Sequence, residues 1–397
     1  MIVPLIAAVS LMWALAAGIL GAGLGRMLTL VVGGLLSAGI FANAVAFNRP
    51  ERGSKNAGSQ SRRLHFWIEM AVIITAVVLW WWEVARLGQL PLRCEEHGLE
   101  AGTLLARCVA HLVLFMLLAA ASWIDLRYRV IPDCVTVTGV LLGLATLWLW
   151  PDVLLPVAGE VPRSFAPPQL QLDVLGFFGG LHTAPGIAWL GPWPCVPGLL
   201  LPLAIFTIWW LVCTSPFLDL EPSRLLRWLE PRGVILVLGL LAIVAAWVCG
   251  GDRYVGLQSS LIGLAVSGGI VGAIRTGASR AMGREAMGLG DVTLMAMVGA
   301  WLGWQACVVA FFLAAFLGVA HGAAHLLFHR ENELPFGPSL CLASAGVVVA
   351  WRPIWEIVGL YFNQPLDLAI VVGSVVILTA VTLFVWEKWR NAPAAKQ

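Results

Sequence analysis

Charge is scarce in this 397-residue chain: Asp, Glu, Lys and Arg make up 12% of it, against 60% for hydrophobic residues. With a mean hydropathy of +0.88, that excludes an ordinary soluble domain and indicates a polytopic membrane protein. The net charge of +2 is too small to point to nucleic acid or to an acidic substrate. The eight cysteines, at 94, 108, 134, 195, 213, 249, 307 and 341, never come within C-x-x-C spacing, so neither structural zinc nor a disulfide framework is expected. No Lys or Arg precedes Arg26. The apolar start therefore lacks the charged n-region of a cleaved secretory signal and is expected to stay as a span. No hydrophilic tract is long enough for a sizeable soluble domain.

Apolar runs, by contrast, are abundant. Windows of about 20 residues, the length that spans hydrocarbon, fall near 3–24, 28–47, 68–86, 105–124, 131–150, 197–213, 233–250, 256–275, 305–328 and 368–386, with shorter ones near 290–303 and 339–352. The expected fold is an all-α helical bundle of about twelve spans in contact with lipid. Lys and Arg concentrate in the loops carrying Arg49, Arg52, Lys55, Arg62 and Arg63, then Arg127 and Arg129, Arg224, Arg227 and Arg232, Arg275, Arg280 and Arg284, Arg330, and finally Lys388, Arg390 and Lys396. Twelve alternating spans place all these clusters on one side, the cytoplasm by the positive-inside rule, together with both termini. Glu95, Glu96, Glu100, the run Trp80-Trp81-Trp82 and the Pro-, Gly- and Trp-rich stretch 151–196 fall on the other side.

Two acidic residues stand out against this background. Asp125 ends an apolar run and precedes Ile131-Pro132-Asp133, and Asp291 follows Gly288-Leu289-Gly290. Hydrocarbon penalises an ionisable side chain, so such a residue is a functional-site hypothesis by default. A pair of carboxylates suits peptide hydrolysis, one ionised to take a proton from water and one protonated to polarise the scissile carbonyl. Held close, they cannot readily both ionise and share a proton. Gly288 and Gly290 remove two side chains beside Asp291 and would let a substrate backbone approach. Each aspartate has a plainer alternative. Asp125 could be a solvated helix-end charge near Arg127 and Arg129, and Asp291 could be the N-cap of the next helix.

Read in order, Asp125 with Ile131-Pro132-Asp133, then Gly288-Leu289-Gly290-Asp291, then Leu334-Pro335-Phe336-Gly337-Pro338, the chain resembles the type IV prepilin peptidase family of membrane aspartyl proteases. Leu294 to Trp304 looks like the family's continuation, and Gly39-x-Phe41-x-Asn43 and Trp67-Ile68-Glu69 resemble the end of its first span and the start of the next. The resemblance implies a metal-free and cofactor-free catalytic pair, Asp125 and Asp291, with Ile131, Pro132, Asp133, Gly288, Gly290, Pro335, Phe336, Gly337 and Pro338 as motif residues. It implies cleavage of the basic leader from type IV prepilins or type II secretion pseudopilins at the cytoplasmic face of the bacterial inner membrane.

Three departures from the family pattern carry expectations of their own. Many members have a cytoplasmic loop with two C-x-x-C pairs that accompanies N-methylation; here Glu51 to Phe66 is short and cysteine-free, so peptidase without methyltransferase activity is expected. Thr293 stands where members usually carry Lys. The aspartates lie farther apart than usual, which gives a division into an extra N-terminal span (1–27), a first half of the core (28–150), an insertion with an outer loop (151–255), a second half of the core (256–352) and an extra C-terminal span and tail (353–397).

Other signals were weighed beside these. His321, His325 and His329 recur every fourth position and would share a helix face, a geometry open to a metal, although interfacial His is the ordinary outcome. Glu285 fits either a substrate-facing surface or a solvated partner for Arg284 or Arg280. A presenilin-type intramembrane protease shares G-x-G-D but needs its first aspartate in mid-span after Tyr. A transporter or catalytically decayed scaffold is the non-enzymatic alternative.

Overall fold

In hydrocarbon, every backbone N–H and C=O must find its partner within the segment, so uninterrupted apolar runs wind into helices. The computed structural model describes residues 71, 74–90, 101–156, 196–214, 231–283, 285, 287–328, 336–362 and 373, and among the described residues there is no strand. Helix α1, Ile74–Ala85, closes in a π-helical turn, Trp81–Ala85. Helices α2 (Ala101–Tyr128), α3 (Asp133–Leu149), α4 (Val196–Thr214), α5 (Pro231–Cys249), α6 (Gly251–Met282), α7 (Leu289–Leu302), α8 (Trp304–Phe328), α9 (Gly337–Val349) and α10 (Trp351–Phe362) follow. These bounds match the apolar windows from 105 to 352 closely.

Among the described residues, two segments are long and apolar enough to cross a membrane, Thr103–Tyr128 in α2 and Arg253–Arg280 in α6; the bent pair Gly337–Val349 and Trp351–Gly359, meeting at 87°, gives a third if it counts as one span. The windows 3–24, 28–47 and 368–386 lie outside the described residues. Helix α7 has 14 residues, about 21 Å at 1.5 Å each, against a hydrocarbon thickness of about 30 Å. Every residue from Asp291 to Leu302 is buried. A helix apolar all round belongs in an interior, and α7 is the element around which α3, α6, α8 and α9 gather.

Glycines set the spacing of that centre. A Cβ at Gly263 of α6 would fall 2.2 Å from the Gly299 carbonyl oxygen, and one at Gly299 would fall 2.4 Å from Ser267 Oγ. The two backbones therefore touch. Ser260 Oγ donates to the Ala300 carbonyl at 2.6 Å across the same seam. Small residues and cross-helix hydrogen bonds of this kind drive association where lipid removes the hydrophobic incentive. On the α3 side, the Trp301 Nε1–H donates to the Gly139 carbonyl at 2.8 Å, and Gly143 leaves room for the same indole.

A second polar cluster lies toward the other end of α2. His111 Nδ1 is 2.9 Å from Glu83 Oε1, and Gln89 Nε2 donates to Glu83 Oε1 at 2.7 Å and to the Val348 carbonyl at 2.9 Å. Trp82 Nε1 donates to the Val349 carbonyl at 2.8 Å. The carbonyls exposed at the break between α9 and α10 thus find donors on the α1 side, which anchors the far end of α9.

Candidate active site

Asp125 lies in the last turn of α2, not in mid-helix. That helix stops because Arg129 turns left-handed, at φ 55°, with its N–H on the Asp125 carbonyl at 2.8 Å; this is the geometry of a helix C-terminal cap. The chain then runs through Ile131 to Pro132, which caps α3 in extended conformation (φ −76°, ψ 136°). Asp125 is 6% exposed, whereas Arg127 and Arg129 are exposed. Burial to that degree is not the arrangement of a solvated helix-end charge.

Asp291 arrives from the opposite direction, at the start of α7. Helix α6 ends at Gly283, left-handed with φ 63°, and the return ends at Gly288, the N-cap of α7 with φ −66° and ψ 150°. Asp291 is thus the third helical residue and not the N-cap, which corrects the alternative weighed from the sequence. Its carboxylate turns back toward the Gly288 backbone, the position of the return half of a capping box, at a helix terminus that favours negative charge. It is 8% exposed.

The two carboxylates come close enough for the charge of one to act on the other. Three motif residues mediate the approach. Gly337, the first residue of α9, sets its backbone against the Asp125 carboxylate: a Cβ at Gly337 would fall 2.4 Å from Asp125 Oδ2. Ile131, buried, fits between: a Cβ at Gly290 would lie 3.0 Å from Ile131 Cβ, and one at Gly337 would lie 3.0 Å from Ile131 Cδ1. The space freed at Gly290 is therefore taken by Ile131 and not by a substrate. At Gly288 a Cβ would meet only Asp291 Oδ2 at 3.7 Å and Gly290 N at 3.9 Å, so this glycine leaves the side of Asp291 open.

The remaining motif residues fall into place around the pair. Pro338 occupies the first turn of α9, where its missing N–H costs nothing, and Phe336 packs its ring on Gly318 of α8. Pro335 lies outside the described residues. Asp133 opens α3 and is exposed, apart from the pair. Thr293 is buried, and its hydroxyl donates to the Gly290 carbonyl at 3.0 Å, so it puts no cation beside the aspartates. Helix α8 carries His321 and His325, but their side chains and His329 lie outside the described residues.

Two contributors were not singled out from the sequence. Cys341 is buried near both carboxylates; four positions after Gly337, it shares that residue's helix face, the one signal that could have found it. Arg275 of α6 donates Nε–H to the Met287 carbonyl at 3.0 Å and pairs with Glu285 at 2.9 Å. Glu285 is therefore the partner of Arg275 and not of Arg280; Arg284 lies outside the described residues.

The chain is similar to known proteins over part of its length. Residues 205–323 match the Type IV leader peptidase family, a stretch that begins within the segment read as an insertion and contains Asp291. Over 148 residues the chain is 32% identical to the prepilin leader peptidase/N-methyltransferase of Aeromonas salmonicida (strain A449), covering 36% of this chain and 47% of that one. It is 32% identical over 204 residues to the Aeromonas hydrophila protein of the same name, covering 49% and 62%, and 38% identical over 80 residues to that of Burkholderia pseudomallei (strain 1026b), covering 19% and 26%. The chain thus spans about half the length of the Aeromonas salmonicida relative and about three-fifths of the Aeromonas hydrophila one. No solved structure matches. In its ordered motifs and in these partial matches the chain is similar to the type IV leader peptidase family.

Proposed function

We propose that the protein is a membrane aspartyl endopeptidase that removes the leader from type IV prepilins or type II secretion pseudopilins. One observation carries the reading: two buried carboxylates, from the end of α2 and the start of α7, interact across the site with a glycine backbone beside each. Such a pair shares one proton at rest. The ionised member takes a proton from a water held between the two, the protonated member hydrogen-bonds the scissile carbonyl, and the hydroxyl adds to that carbon. Proton return to the amine completes the cut. The roles interchange within the pair, so the residues act as one unit.

Gly288 and the open side of Asp291 receive the substrate backbone, with the apolar stem of the prepilin in the membrane and its Lys and Arg at the cytoplasmic surface. The basic loops support that orientation, and the windows outside the described residues complete the bundle of about twelve spans around a core in two halves, 28–150 and 256–352, separated by the 151–255 segment. Without a cysteine-bearing loop between Glu51 and Phe66, cleavage proceeds without N-methylation. Co-expression with a candidate prepilin, read by intact mass, tests the reading. Loss of the leader mass with wild type and its retention with Asp291→Asn is the expected result; an uncut prepilin in both cases, with the proteins inserted, would remove the proposal.

A further inference from the structure

The G-x-G-D loop is held from behind by a residue that belongs to none of the motifs. Arg275 projects from the last turns of α6 and, though its side chain is only 23% exposed, it does not bond the carbonyls that its own helix leaves open. It reaches across the return instead, Nε–H to the Met287 carbonyl at 3.0 Å. That carbonyl and the Gly288 N–H are the two ends of one rigid peptide plane, and the Gly288 backbone stands beside the Asp291 carboxylate, whose Oδ2 lies 3.7 Å from the Cβ position of Gly288. A cation on the oxygen of a peptide polarises its N–H.

Glu285, on the same return, takes the other arm of the guanidinium at 2.9 Å. The planar fork is thereby fixed at two points, which a flexible ammonium cannot reproduce. We infer that Arg275 is a positioning residue of the aspartyl site: through the Met287–Gly288 peptide it fixes the orientation of the Asp291 carboxylate. The inference rests on the peptidase reading proposed above. An ordinary exposed ion pair with Glu285 would leave the chemistry untouched. The two accounts separate because only a relay couples Arg275 to the turnover step.

The test uses the full-length protein in nanodiscs with a prepilin substrate, comparing wild type, Asp291→Asn, Arg275→Gln and Arg275→Lys. Arg275→Gln is expected to lower kcat about tenfold, the effect of one ordinary hydrogen bond on a rate, with KM unchanged, and Arg275→Lys, which keeps a cationic donor, recovers part of it. Hydrogen exchange at the Gly288 amide is expected to speed up in Arg275→Gln whether or not the substrate is cut. Wild-type kcat in Arg275→Gln, or equal losses in both variants with raised KM and lowered Tm, overturns the relay. Should wild type cleave no prepilin, the peptidase reading falls by itself, and the exchange rate still decides: unchanged exchange at Gly288 overturns the inference and faster exchange supports it.

Discussion

Three glycines surround the aspartate pair, and their replacement by alanine should have graded effects that sequence motifs do not predict. In Gly337→Ala the new methyl would lie 2.4 Å from Asp125 Oδ2 and 3.0 Å from its carboxyl carbon, where ordinary contact begins near 3.4 Å. The carboxylate must retreat by about 1 Å, and a misplacement of that size costs about a hundredfold in rate. In Gly290→Ala the methyl meets Ile131 Cβ at 3.0 Å and its carbonyl oxygen at 3.4 Å. A few tenths of an ångström of shift in the 130–132 return relieves that, for a loss of about tenfold. Gly288→Ala meets nothing closer than 3.7 Å, and its φ of −66° suits any residue. Its cost is the cap, about 1 kcal/mol of stability, and a raised KM, because the methyl enters the open side that receives the substrate backbone. The assay is leader removal under single-turnover conditions, with melting curves to separate site effects from folding. Wild-type turnover by Gly337→Ala, or a greater loss from Gly288→Ala than from Gly337→Ala, would refute this geometry.

Other substitutions probe the supporting frame. Gly263→Ala places a methyl 2.2 Å from the Gly299 carbonyl oxygen, a backbone contact that cannot swing away; forced separation of α6 and α7 should cost about 1–3 kcal/mol, read as a lowered Tm in detergent. Trp301→Phe removes the indole donor to Gly139, a second bond to a carbonyl that its own helix already engages, a loss of about 0.5–1.5 kcal/mol by the same measurement. Because the Thr293 hydroxyl bonds within its own helix, Thr293→Val should change cleavage by less than about threefold; a loss of a hundredfold would give this hydroxyl a direct part in the reaction.

Hydropathy made most helices from 101 to 352 legible, because each apolar run stops at a recognisable break: Arg129 and Pro132 after α2, Gly250 after α5, Gly283 after α6, Gly303 after α7. What hydropathy could not show is which runs cross the bilayer. Helix α7 reads as a short apolar window, and its place at the centre of the bundle, buried from Asp291 to Leu302, depends on its neighbours and not on its own letters. The aspartates were legible for a reason that needs no coordinates, since charge beside an apolar run is costly. The roles of the glycines were less so. Gly288 and Gly290 look equivalent in a string of letters, but one faces open space and the other faces Ile131, which comes from a loop far away in sequence. Arg275 was hidden among the basic residues read as marking the cytoplasmic side. The Glu83, Gln89 and His111 cluster was invisible because nothing in its spacing brings residues 83 and 111 together.

The central claim is that Asp125 and Asp291 form one catalytic unit. Single-turnover rates of leader cleavage for Asp125→Asn, Asp291→Asn and the double variant, each inserted in nanodiscs at equal amounts, test it most directly. Residues acting as a unit give non-additive losses. Each single change should remove cleavage by at least about a thousandfold, and the double variant should be no slower than the worse single one. Near-wild-type rates in either single variant, or losses that multiply in the double, would contradict the account.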